Sequence, residues 1–228
     1  MKRLFLLFVL SSIALSHDLW IEREGNSYAL YYGHLHPQAG EEKFIKYKPE
    51  DVIKFECYDV KGKLILSRFE KSYPAKLKGI SCATVYALFS SGYWTKSVEG
   101  LKNQPKDKVS GAIESWLSYE SVKGIYSWNK ALSKPLTEDL EIVPSEDPLN
   151  LKVGEKLRFF VFYRGKPLKD VVVAYDEHPI GTTDDDGGVN VRIKHHGLQN
   201  ISASIREKAD GVKADYTVRT ANLIFEVK

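Results

Sequence analysis

Four positions in this chain combine metal-binding residue types with a placement that could gather them: His17, His34, His36 and His196. His17 follows Lys2 and Arg3, an apolar run from Leu4 to Leu10, and Ala14-Leu15-Ser16, with small residues three places and one place before the next peptide bond. That is the pattern of a secretory signal peptide over residues 1–16. Cleavage after Ser16 would leave His17 with a free α-amine beside its imidazole, a two-nitrogen chelate that an internal histidine does not offer. The amine titrates near pH ~8 and the imidazole near ~6.5, so at neutral pH a divalent ion can displace the remaining protons. His34 and His36 stand at i and i+2 in Gly33-His34-Leu35-His36-Pro37. They share a side if the chain stays extended, and Pro37 favours that for His36. Asp18 could supply an oxygen or orient a ring from behind the ligands. His196 is a weaker addition, at the end of a later strand beside His195, and His178 sits in the loop Glu177-His178-Pro179.

The elements that must position these side chains read as strands. Leu19 to Glu24 and Tyr28 to Tyr32 flank Gly25-Asn26, the signal of a hairpin that brings His17 toward His34 and His36. Val52 to Val60 and Lys63 to Glu70 flank Lys61-Gly62 as a second hairpin, followed by Tyr73 to Lys78, Ile80 to Phe89 and Gly92 to Lys96. Short strands at this spacing indicate an antiparallel sandwich. The period changes at Lys108, where Val109, Ile113, Trp116, Leu117 and Glu120 follow helical spacing behind Asp107 as a cap, predicting one helix over about 108–123. Leu140 to Pro144 reads as a strand entering a linker, Ser145 to Asn150. The expected fold is therefore mainly β: a β-rich domain over 17–147 and an immunoglobulin-like or transthyretin-like sandwich over 148–228, with the helix near the end of the first. In the second, Thr182 to Gly188 is rich in acids but lacks the alternating ligands and distal glutamate of a calcium loop, so a tight turn capped by its own side chains is expected.

Composition narrows the chemistry. Removing residues 1–16 takes away two basic residues and no acid from a chain of net charge +3, leaving it close to neutral, which argues against nucleic acid as a partner. The leading apolar run is too short to span a bilayer, and no later segment approaches the ~20 apolar residues a membrane helix needs. No cysteine follows the cleavage site to carry a lipid. The expectation is an exported, periplasmic protein. Cys57 and Cys82 form an even pair in an oxidising compartment, which points to a disulfide. The alternative is two small buried residues, since Cys57 alternates with Ile53 and Phe55. The lone methionine, Met1, leaves with the signal, so a metal site must use nitrogen and oxygen donors, suiting Ni(II), Co(II), Cu(II) or Zn(II) over Cu(I). There is no Gly-x-Ser-x-Gly, His-Glu-x-x-His or Gly-Lys-Ser/Thr motif, and no dinucleotide fingerprint accompanies Tyr119 to Lys123, so a non-enzyme is expected.

The order of several short motifs resembles the NikM-like family of exported bacterial proteins associated with nickel or cobalt uptake. They are His17-Asp18-Leu19-Trp20, Gly33-His34, Gly92 to Lys96, Leu140 to Pro144, Arg164-Gly165-Lys166-Pro167-Leu168 and Gly181-Thr182-Thr183-Asp184. The resemblance implies a two-part β architecture and an accessory of an energy-coupling membrane transporter, with Ni(II) or Co(II) as cargo and His17 and His34 as ligands. His36 and His196 are additions from spacing. Without membrane helices of its own, the chain would hand metal to a translocating subunit. Two other classes stand beside this one. A periplasmic copper(II) carrier, or a copper oxygenase, also places an amino-terminal histidine on a β-sandwich. An adhesion or carbohydrate-binding module would use Tyr28, Tyr31 and Tyr32 and leave the histidines incidental.

Overall fold

Period-two alternation runs through most of the chain, as in Lys156–Tyr163, where Leu157, Phe159 and Val161 point inward and their neighbours outward. A computed structural model describes residues 17–66 and 68–228; residues 1–16, expected to be a signal peptide, lie outside the described residues. The strands are β1 (Asp18–Glu24), β2 (Ser27–Gly33), β3 (Val52–Tyr58), β4 (Leu64–Leu66), β5 (Ala75–Lys78), β6 (Thr84–Ser97), β7 (Gly100–Lys102) and β8 (Ala112–Ile125). They continue with β9 (Glu141–Pro144), β10 (Lys156–Tyr163), β11 (Lys166–Pro167), β12 (Val172–Tyr175), β13 (His178–Thr182), β14 (Gly188–Arg192), β15 (Gly197–Lys208) and β16 (Tyr216–Val227). The protein is mainly β.

One nine-stranded sheet runs through the molecule in the order β13-β12-β15-β16-β8-β6-β3-β4, with β7 beside β6. Its two halves meet where β8 and β16 pair in parallel, Trp116 opposite Tyr216 through Gly124 opposite Ile224. A three-stranded sheet, β1-β2-β5, covers one half, and a second sheet, β11-β10-β14 with β9 beside β10, covers the other. Side chains on a strand alternate between faces. On β16, Ile224 enters the first core while Ala221, Leu223 and Phe225 enter the second, so the two covers lie on opposite faces of the shared sheet. The first core is built around Trp20, Tyr28, Phe55 and Phe89, and Cys57 and Cys82 are bridged within it, with Cα atoms 5.4 Å apart. The second is built around Phe159, Tyr175 and Phe225.

Two expectations change. The segment read as a helix over about 108–123 is mostly the strand β8, and Asp107 lies in a short turn of 3-10 helix before it. The supposed helical stripe is not buried as a unit: Ile113 is 61% exposed while Val109 is buried. From Glu120 to Ile125 every residue of β8 is buried, because this strand sits where both covers overlap. Burial on both faces erases the period-two signal that marks a strand. The division at 147/148 also falls differently from the packing. β9 precedes it, yet pairs with β10 and sends Ile142 into the second core, and the shared sheet crosses from one part to the other. In the acid-rich turn, the Asp184 carboxylate accepts from the amides of Asp186 and Gly188 at 3.1 and 3.0 Å, the side-chain cap the residue types imply.

Opposite β9, the shared sheet buries a charge pair. Lys123 Nζ lies 2.8 Å from Glu141 Oε1, with both side chains almost fully buried. Glu141 also accepts from the amides of Leu136 and Thr137 and from the Thr137 hydroxyl. Burial pulls the Lys123 ammonium below its ordinary value, against the stabilising Glu141. Breaking such a pair strands a buried charge, which costs about 3–5 kcal/mol, whereas replacing both partners with apolar groups is far milder. Urea unfolding of Glu141→Gln is therefore expected to show a loss in that range. The double variant Lys123→Met/Glu141→Leu should recover most of it.

Candidate functional site

The β1–β2 hairpin sets the position of the histidines. Its loop is the two residues Gly25-Asn26, and the register pairs Glu24 with Ser27 and Asp18 with Gly33. One step further along that register puts His17 opposite His34, and their ring centroids are 5.0 Å apart. Gly33 makes the approach possible. Its φ is +144°, and a Cβ there would stand 2.2 Å from the Lys43 carbonyl oxygen, which accepts from the His34 amide at 3.0 Å. The Ile45 amide in turn donates to the Tyr32 carbonyl, so the segment after His36 folds back over the end of β2.

Around the pair are groups of several kinds. His17 Nδ1 is 3.0 Å from the Tyr32 hydroxyl, and Glu41 Oε2 is 3.7 Å from His34 Nδ1. Partial burial, and then the neighbouring His34, lower the His17 imidazole below its usual value. Beneath them the Tyr32 hydroxyl also meets Glu120 of β8, a fully buried carboxyl pushed up to about 8 by desolvation and by Asp18. Among the described residues no group hydrogen-bonds Glu120 Oε2.

Asp18 does not orient an imidazole ring. Its Oδ2 accepts from the Leu35 amide at 3.0 Å, fixing the link between His34 and His36, and its Oδ1 accepts from Asn200 Nδ2 on β15 at 3.0 Å. Glu177, at the β12–β13 turn, is raised to about 7 by desolvation and by the Asp18 carboxylate. His36 is drawn elsewhere: its Nε2 lies 3.9 Å from Asp176 Oδ1, and Asp176 Oδ2 lies 2.7 Å from His195 Nε2. A hydrogen bond to the His196 carbonyl and the Asp176 carboxylate raise the His195 imidazole. His196 itself is exposed, and in these contacts it contributes that carbonyl.

Of the residues singled out from spacing, His17 and His34 come together, Asp18 supports them from below, His36 joins Asp176 and His195, and His196 stays outside. As the side chains lie, no three His, Cys, Asp or Glu groups among the described residues converge on a metal position. Sequence reasoning missed Tyr32, Glu41, Glu120, Asn200 and the Asp176-Glu177 turn. Glu120 carried a usable signal, since it fell within an otherwise apolar stripe. Asn200 carried none, because its role depends on a contact with Asp18 across 182 residues of sequence.

This arrangement defines a mainly β protein with a histidine and carboxyl cluster where the hairpin cover crosses the shared sheet. The family model described as a domain of unknown function, DUF4198, matches residues 14–207, and the chain belongs to that family. The fibronectin(III)-like modules of Clostridium thermocellum CbhA are similar at 12% identity over 92% of this chain and 95% of that one, with a TM-score of 0.24. Comparison with curated proteins found no significant match.

The raised Glu120 gives a prediction about stability. In the unfolded chain its proton leaves near pH ~4.3, whereas in the folded protein it stays until about 8. Between these values the folded state binds the extra proton, so this contribution to stability is lost as pH rises through about 8. Glu120→Gln should gain on the unaltered protein by roughly 1 kcal/mol per pH unit between pH ~5 and ~8 in metal-free urea unfolding. Parallel pH profiles for the two proteins would rule this out.

Proposed function

We propose that this protein is an exported carrier of Ni(II) or Co(II), holding the ion at His17 and His34 and passing it to an energy-coupling membrane transporter. The observation that carries the reading is the hairpin register, which sets two imidazoles side by side with ring centroids 5.0 Å apart and Glu41 beside one of them. Cleavage after Ser16 would add the His17 α-amine as a third nitrogen. The lowered His17 value supports the reading, because an imidazole without a proton at neutral pH has a lone pair to give. Two imidazoles, an amine and a carboxylate suit divalent first-row ions.

The role proposed is binding and delivery, not catalysis, in the periplasm. Among the described residues no helix is long and apolar enough to cross a membrane, so translocation is assigned to a partner. We read the two cores as two β-sandwich units fused through one sheet, with the cargo site on the first and its support reaching from the second. Imidazole ligands lose metal as they protonate below pH ~6.5, which gives a route to release. The same donors favour Cu(II) over Ni(II), so selectivity for nickel rests on geometry or supply, and copper belongs in any test.

The test is a competition titration of Ni(II), Co(II) and Cu(II) into protein starting at His17, beside a form with one extra residue ahead of it. The extra residue removes the free amine and keeps every side chain. Nickel affinity is expected to fall by at least about 100-fold in the extended form, beyond the loss of an outer partner alone. Equal affinity in both forms would remove the amino-terminal chelate from the mechanism. Nickel that fails to bind at all while copper binds tightly would turn the reading to a copper carrier.

A further inference from the structure

The β12–β13 hairpin turns on Asp176 and Glu177, which have φ angles of 46° and 65°. A two-residue turn of this hand favours Asn-Gly or Asp-Gly, because positive φ crowds a Cβ. Asp176 suits the first of these positions, whereas Glu177 stands where glycine is favoured. Glu177 answers to Asp18. Asp176 meets a different pair of groups: Oδ2 lies 2.7 Å from His195 Nε2, and Oδ1 lies 3.9 Å from His36 Nε2. Oδ1 is buried, and among the described residues no donor hydrogen-bonds it. His195 is held in place. Its Nδ1–H donates to the His196 carbonyl at 2.8 Å, and its ring lies parallel to Tyr175 with centroids 5.7 Å apart. A backbone carbonyl on one imidazole nitrogen orients a metal-ligating histidine, and here the other nitrogen, Nε2, faces the Asp176 carboxylate.

We propose that His36, Asp176 and His195 form a second site for a divalent first-row transition-metal ion, separate from His17 and His34. Donors held at about 2.0–2.2 Å from one ion lie roughly 3–3.5 Å from one another. The separations of 2.7 and 3.9 Å fall on either side of that range. The Asp176–His195 contact must open to the ligand spacing, and His36, whose side chain is 57% exposed, has room to swing toward the carboxylate. Two imidazoles and one carboxylate form a donor set for Zn(II), Co(II) or Ni(II). The ion competes with a proton for His195 Nε2, and the Asp176 carboxylate draws either one. No ligand is shared with the cargo site, so this site stands or falls independently of the function proposed above.

The test is a Co(II) titration of protein starting at His17, followed by visible d–d absorbance. Two equivalents are expected. His195→Gln and Asp176→Asn should each lose one, and His34→Gln should retain the equivalent that those changes remove. Full stoichiometry in both His195→Gln and Asp176→Asn overturns the second site, whereas full stoichiometry in His34→Gln counts only against the first. A Zn(II) titration of the unaltered protein, read from its histidine ring resonances by NMR, needs no folded variant. The His36 and His195 rings should shift together with the added metal. Rings that stay fixed through two equivalents overturn the proposal.

Discussion

The buried carboxyl of Asp18 is the point on which the arrangement of the site depends. A carboxyl removed from water is costly unless its oxygens are hydrogen-bonded. Asp18 is 5% exposed, and its two oxygens face two different parts of the molecule. One holds the Leu35 amide between His34 and His36, and the other holds the Asn200 side chain on β15, 182 residues away in sequence. The hairpin cover is thereby fixed to the half of the shared sheet that lies over the other core. Glu177 and Glu120 retain their protons to higher pH through burial first and through this same carboxyl second.

What could be read from the residues follows from how local each determinant is. The hairpin was legible because Gly25-Asn26 is a turn signal, and a two-residue loop leaves little freedom of register. That register alone put His17 opposite His34. The acid-rich turn was legible for the same reason, since its cap lies within four residues of Asp184. β8 was not legible. Its pattern reflects burial between two covers that arrive from distant parts of the chain, and a strand buried on both faces leaves no alternation to read. His36 was misjoined because i and i+2 share a side only in an extended chain, and the chain bends after Gly33 to pass the Lys43 carbonyl.

The treatment of acids differs across the molecule, and the difference bears on what the site can attract. Glu141 is buried against a lysine and three further donors, so its charge is answered within the fold. Asp18, Glu41, Glu120, Asp176 and Glu177 stand close to histidines or to each other, and among the described residues none of them forms an ion pair with a lysine or arginine. Fold stability alone does not favour that choice at Asp18 and Glu120, which are buried, since a neighbouring lysine would lower the cost of each. The result is a concentration of negative charge, or of protons standing in for it, next to imidazole nitrogens. Such a field repels phosphates and carboxylates and draws cations. A cation that arrives there displaces the protons that burial and neighbouring carboxylates hold on Glu120 and Glu177.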